Sequence, residues 1–327
     1  MRVLVTGGAG FIGSNLVEAL LADTRVSFVR VLDNLATGSL MNLEGFKGHD
    51  KFEFVNGDIR DPETCFAACE KIDLITHQAA LGSVPRSIDD PVTTNNVNIG
   101  GTVNVFTAAQ KKGIKRVVYA ASSSTYGDHP GLPKKEELIG KPLSPYAVTK
   151  YVNELYADVF ASLYGMEFIG LRYFNIFGPR QNPAGPYAAV IPLFAEALLN
   201  DKGPTINGDG SHSRDFTYVN NAVNANILAL FSDNPKALNQ VYNIACGEQT
   251  SLNELFEGLK KEAGKSINPV YGPERKGDVK HSLADISKAK SLLGYEPEVS
   301  VVEGLARTYR WYLERKNHNN AANTLAV

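Results

Sequence analysis

Cysteine is scarce: Cys65, Cys69 and Cys246 are the only thiols in 327 residues. Three cysteines cannot build a disulfide framework, so the fold must rest on its core, and a reducing, cytoplasmic setting is expected. Cys65 and Cys69 stand one helical turn apart and read as buried thiols rather than a metal pair. The six histidines form no HExxH or comparable ligand spacing, and no metal is expected. Net charge is only −2 and no block of one sign occurs, which argues against nucleic acid or a membrane surface as partner. No apolar run approaches the ~20 residues that span a bilayer. The first residues already look like a strand, not a signal peptide.

What remains is ordinary globular material, 43% hydrophobic and 21% charged, sufficient for one large domain and a smaller lobe. Val3, Leu4 and Val5 form a short apolar run of the kind found in buried parallel strands. Thr6 to Gly10 is a turn almost without side chains, and Phe11 to Leu21 then carries helical periodicity. Gly8-x-Gly10-x-x-Gly13 has the dinucleotide spacing, and Gly7-x-x-Gly10-x-x-Gly13 is met by the same stretch. Such glycines permit a tight turn, close approach of a pyrophosphate and contact of helix with strand, while the helix N-terminus offers N–H groups to phosphate. Phe28 to Leu32 reads as the next strand, and Asp33 ends it about 20 residues past Gly13, where an acid meets the adenosine ribose. A carboxylate there repels a 2′-phosphate, so NAD is expected rather than NADP.

Strand and helix patterns then alternate. Strands are expected at 52–55, 72–76, 116–120 and 167–172, and helices from Pro62 to Cys69, from Pro91 to about Lys112 and from Pro145 to about Tyr164. Repeated βα units of this length predict an α/β fold, a Rossmann-type doubly wound parallel sheet, whose ligands bind beyond the strand carboxyl ends. Past Arg172 the rhythm breaks. A loop over 178–187, a turn at Asn207–Gly210 and helices from about Val190, near 220–231, 251–263 and 301–315 predict a mixed lobe. The expected division is a nucleotide domain over 1–177 and a substrate lobe over 178–315, some of which returns to the first domain. The polar stretch 316–327 is expected to fray.

Two further clusters carry chemistry. Tyr146 and Lys150 are spaced i, i+4, on one face of one helix. A tyrosine titrates near ~10 and is a poor base at neutral pH, but an ammonium one turn away favours its phenolate, as would an oxidised nicotinamide. The serine run Ser122-Ser123-Ser124 follows a strand end, where a hydroxyl could bond the same substrate oxygen.

Together, the glycine turn, Asp33, Gly57-Asp58-Ile59, His77-Gln78-Ala79-Ala80, the serine run, Tyr146 with Lys150, and Leu171-Arg-Tyr-Phe-Asn175 resemble the extended short-chain dehydrogenase/reductase family in its nucleotide-sugar branch. The resemblance covers nearly the whole chain. It implies tightly held NAD, a UDP-sugar substrate and a homodimer built on the long helices. It makes Ser122 the catalytic hydroxyl, Tyr146 the base, and Lys150 the holder of both the phenol and the nicotinamide ribose. Further cofactor contacts implied are Gly7, Gly10, Phe11, Ile12, Gly13, Asn34, Asp58 and Ile59 (adenine), Gln78, Ala79, Ala80, Asn98 and Tyr173. Implied substrate contacts are Gly82, Ser83, Ser123, Ser124, Ala189, Val190, Asn207 and Ser282, with Asn175, Arg214 and Arg275 on the diphosphate and Asp278 on the uridine ribose.

Within that branch, 4,6-dehydratases carry Asp and Glu after the catalytic hydroxyl, and decarboxylating relatives keep the glutamate. Ser123 and Ser124 stand here instead, and neither is a credible acid. The resemblance therefore implies 4-epimerisation: oxidation at C4, rotation of the 4-keto sugar, and return of hydride to its other face. Relatives confined to UDP-glucose and UDP-galactose have larger residues where this chain has Gly82, Ala189 and Ser282. Space at Ser282 leads to UDP-GlcNAc and UDP-GalNAc as expected substrates, with the plain hexoses slower. A uronate 4-epimerase, with Arg86 meeting the carboxylate, or another nucleotide-sugar oxidoreductase is the alternative; a non-catalytic NAD-binding scaffold is the third reading.

Overall fold

Strands rich in β-branched residues and bounded by glycine turns can be buried on both faces only if helices cover both. The computed structural model, which describes residues 1–184, 188–274 and 280–325, has that arrangement. Strands β1 (Arg2–Thr6), β2 (Phe28–Asp33), β3 (Phe52–Asn56), β4 (Leu74–His77), β5 (Arg116–Ser122) and β6 (Glu167–Tyr173) join Gln240–Ile244 in one sheet. The order is Gln240–Ile244, β6, β5, β4, β1, β2, β3, with every pair parallel. Strand order reverses between β1 and β4, and a crevice opens at that switch point beyond the strand ends. The doubly wound sheet predicted from the alternation is therefore present.

The helix Pro145–Tyr164 shows why the local sequence suffices where it is strong. The Ser144 hydroxyl accepts the Ala147 N–H at 3.1 Å, Pro145 stands at the first turn, and Gly165 at φ 63° closes the end. Elsewhere the boundaries move. β4 begins at Leu74 rather than Ile72, and β5 runs on to Ser122, so the serine is the last strand residue and caps a 3₁₀ turn over Ser123–Tyr126. The long helix expected from Pro91 contains a π-helical segment, Asn96–Gly101, between Pro91–Asn95 and Thr102–Lys111. Asn98 lies in this segment, and its Oδ1 accepts the Leu81 N–H at 2.8 Å.

The second half divides. Val219–Leu230 packs on the sheet against Phe11–Ala22, and Gln240–Ile244 extends the sheet beside β6. The other segments form the lobe, with short pairings Thr205–Asn207 with Val270–Gly272 and Ser213–Arg214 with Thr250–Ser251. The helix Val301–Leu325 continues into the polar stretch that begins at residue 316. That helix packs on Leu252–Ala263, buries Leu305, Tyr309 and Tyr312, and is fastened by Lys316 Nζ donating to the Leu199 carbonyl at 2.7 Å. No described helix is long and apolar enough to cross a membrane.

Candidate active site

The crevice is a cavity of about 1450 Å³, larger than the roughly 300–1,000 Å³ of a single small-ligand pocket. At one end lies the glycine turn. Gly7 has φ +71°, and a Cβ there would sit 2.6 Å from the Ala79 nitrogen; a Cβ on Gly13 would sit 2.1 Å from the Gly7 carbonyl oxygen. Gly7, Gly10 and Gly13 line the cavity, whereas Gly8 faces Val31 and is absent from the wall. Of the two spacings open in the sequence, the geometry thus uses Gly7-x-x-Gly10-x-x-Gly13. Gly10 precedes Phe11–Ala22 with no side-chain cap, which leaves the first-turn N–H groups to a phosphate.

Asp33 ends β2 with its carboxylate held by the Ala9 and Leu35 N–H groups at 2.9 and 2.8 Å, and burial raises its pKa. Beside it, Asn34 Nδ2 donates to Asp58 at 2.8 Å, and the Arg60 fork on Asp58 holds that carboxyl at about 2. These groups, with Phe11, Ile12 and Ile59, line one end of the cavity. A backbone cradle that no side chain could enter and a carboxylate at the second strand end fit NAD.

At the middle of the cavity, Ser122, Tyr146 and Lys150 come together from β5 and the helix Pro145–Tyr164. Ser122 Oγ accepts from Ser124 twice, from Oγ at 2.9 Å and N at 3.2 Å, which leaves its own proton to donate. Burial raises the Tyr146 pKa and the Ser122 hydroxyl draws it partly back. Lys150 Nζ donates to the Ala120 carbonyl at 2.8 Å and stands 6.0 Å from the Tyr146 ring centroid. Burial pushes Lys150 down to about 8, against the upward pull of Glu154. Burial thus opposes charge on both groups of the pair.

Beneath it, Glu154 takes both nitrogens of the Arg172 fork at 2.9 and 2.7 Å. Arg172 also donates to the Glu136 carbonyl at 2.9 Å and lies over the Tyr126 ring at 4.9 Å. Tyr126 Oη in turn donates to Asn243 Oδ1 at 2.5 Å. A second network supports the wall after β4: Asn226 Nδ2 donates to Tyr173 Oη at 2.7 Å, Tyr173 Oη to Gln78 Oε1 at 3.1 Å, and Gln78 Nε2 to Asn226 Oδ1 at 3.0 Å. Asn226 and Asn243 come from the second half of the chain and carried no motif. Nothing local marks them, because these partners lie 53 to 148 residues away in sequence.

The remaining end holds Gly82, Ser83, Ser123, Ser124, Asn175, Arg214 and Ser282. Asn175 Nδ2 donates to the Asp215 carbonyl at 2.8 Å. The buried Asp215 carboxylate gathers the N–H groups of Cys246, Gly247 and Ala284 at 2.9, 3.1 and 3.2 Å, and so fixes the segment that carries Ser282. Ala79 and Ala80 also line the cavity, but four expected residues do not. Asn98 is buried behind the wall, bonded to Leu81 and Thr149. Ala189, Val190 and Asn207 lie off the wall, to which Gln181, Asn182 and Ala188 contribute. Arg275 and Asp278 fall outside the described residues.

The family model for the NAD dependent epimerase/dehydratase family matches residues 3–245. The chain belongs to this family. Its relatives include the putative UDP-glucose 4-epimerase of Methanocaldococcus jannaschii, 41% identical over 97% of this chain and 99% of that one. Among solved structures, it is similar to the UDP-N-acetylglucosamine 4-epimerase of Methanobrevibacter ruminantium in complex with UDP-N-acetylmuramic acid, at 41% identity and TM-score 0.90, covering 96% of this chain and 98% of the other. It is likewise similar to the UDP-glucose 4-epimerase of Thermotoga maritima with UDP-glucose, at 38% identity and TM-score 0.90, covering 96% and 99%. This epimerase/dehydratase chain thus has NAD as its cofactor, as Asp33 and the glycine cradle imply.

Proposed function

We propose that the chain interconverts UDP-GlcNAc and UDP-GalNAc at C4 and turns over UDP-glucose and UDP-galactose more slowly. The observation that carries the choice of sugar is Ser282, a small side chain in the cavity wall whose Oγ accepts the Asp215 N–H at 3.4 Å. A tyrosine at that place would fill the space that an acetamido group needs. The choice of reaction rests on Ser123 and Ser124, which leave no carboxyl beside Ser122 to drive elimination of water. Bound NAD supplies a hydride acceptor that gives back what it takes. The chain's own residues handle the proton and the oxygen. Tyr146 takes the proton of the 4-hydroxyl and later returns it, Ser122 donates a hydrogen bond to that oxygen, and Lys150 stabilises the phenolate. Arg214 and Asn175 hold the diphosphate about which the sugar turns.

Ser282→Tyr tests the substrate. A ring forced into a filled pocket costs about 1–3 kcal/mol, so kcat/KM for UDP-GlcNAc relative to UDP-glucose is expected to fall roughly tenfold to a hundredfold. An unchanged ratio rules out this pocket assignment, and a parent protein inactive on UDP-GlcNAc rules out the substrate.

A homodimer is part of the same proposal. Val148, Leu155, Val159 and Leu163 recur at 7-, 4- and 4-residue intervals on Pro145–Tyr164 and are exposed, Leu163 by 68%. An apolar stripe of this kind on a helix calls for a cover. Light scattering on the eluting protein should give twice the 35.5 kDa chain mass, and Leu155→Lys should shift it to the monomer. A monomeric parent protein excludes the dimer.

A further inference from the structure

Lys134 belongs to the segment between the serine turn and the helix Pro145–Tyr164. Its backbone is clamped on both sides: its N–H donates to the Leu283 carbonyl at 2.7 Å, and its carbonyl accepts from Asp285 N and Asn243 Nδ2, both at 2.9 Å. A parallel bridge pairs it with Ala284, two residues past Ser282. The residue is only 7% exposed, yet it lines the cavity together with Ser282, Arg214 and Asn175.

An ammonium has three N–H donors and no acceptor. Lys134 uses one of them, towards the His129 carbonyl, and no carboxylate lies within 4.0 Å of it among the described residues. Among the described residues, Arg172 and Arg116 are paired with Glu154 and Glu167, both at 2.7 Å, whereas Lys150, itself in the cavity, meets only a backbone carbonyl as Lys134 does. Burying a charge without a partner is unfavourable, and burial does push the Lys134 pKa down. A rigidly held, under-bonded cation in a ligand cavity is therefore short of acceptors that the protein itself does not provide.

We propose that Lys134 is a specificity residue of the sugar chamber, its ammonium donating to a carbonyl or carboxylate oxygen carried on the hexose ring. This rests on reading the cavity as a UDP-sugar site. Two groups have that chemistry, the amide carbonyl of a 2-acetamido substituent and the C6 carboxylate of a uronate. Either is a stronger acceptor than a ring hydroxyl, so the cation sorts substituted sugars from plain hexoses.

The test measures kcat/KM for UDP-GlcNAc, UDP-glucuronate and UDP-glucose on the NAD-loaded parent protein, Lys134→Met and Lys134→Gln, with thermal melting to verify folding. Loss of a hydrogen bond from a charged donor is expected to lower one substituted-sugar-to-glucose ratio by about tenfold to a hundredfold in Lys134→Met. Lys134→Gln, which keeps a donor, should recover part of it. The ratio that falls identifies which oxygen is bound. If both ratios stay within about twofold of the parent protein, the proposal is overturned; if Lys134→Met fails to fold, the same criterion applied to Lys134→Gln decides. A parent protein that turns over none of the three sugars overturns the epimerase reading itself, and this proposal with it.

Discussion

Tyr146→Phe is expected to lower turnover by roughly 10²–10⁴, the usual range for a general acid–base group, and to leave the fold intact. The ring keeps its packing and only the hydroxyl is lost. That oxygen has both a hydrogen-bonding serine and a lysine one helical turn away. Because Ser122 spends its lone pairs on Ser124, it has a proton to give but cannot take one, and it does not substitute as base. Single-turnover reduction of the bound cofactor by substrate, followed by its absorbance, is the direct measurement. Parent-like rates in a folded Tyr146→Phe would falsify the role of base.

Lys150→Met should be nearly as damaging at neutral pH, but with a different pH profile. The ammonium favours the phenolate, so removing it raises the Tyr146 pKa above a value that burial has already raised. An opposite charge at this range shifts a pKa by about 1–3 units, so roughly a tenfold to a thousandfold loss is expected near pH 7. Below the new pKa the active fraction climbs about tenfold per pH unit, and activity should therefore return towards pH 10. Lys150 itself, pushed to about 8, is mostly protonated at neutral pH in the parent protein. Its upper limb should bend downwards once the ammonium is lost. Profiles of kcat/KM from pH 6 to 10 that superimpose for parent and variant would remove Lys150 from this role.

The parts of this protein legible in the sequence are those whose chemistry is local. A turn that must adopt positive φ at Gly7, an acid at the end of β2, a tyrosine and lysine on one helical face, and a serine at a strand end each have short-range causes. The helix expected from Pro145 to about Tyr164 is found at Pro145–Tyr164, closed at its ends by Ser144 and Gly165. Periodicity failed where two local states compete: the π-helical segment Asn96–Gly101 keeps the apolar pattern of an α-helix, and its Asn98 bonds to Leu81 and Thr149 are long-range. Likewise, nothing in the local composition announces that Lys316 Nζ reaches the Leu199 carbonyl.

The tertiary structure supplies the physical reason for preferring the Gly7 spacing that the resemblance implied, since a Cβ at Gly8 would meet Val31. It alone recruited Asn226 and Asn243, whose amides close networks between segments more than a hundred residues apart, and it alone left Lys134 in the cavity wall with a single acceptor. Sequence spacing reports which side chains share one element. Which elements share a cavity depends on the parallel order of the sheet, with Gln240–Ile244 returning to its edge and Asp215 tying the Ser282 segment down. Those are long-range hydrogen bonds and burial, and no stretch of this chain encodes them by itself.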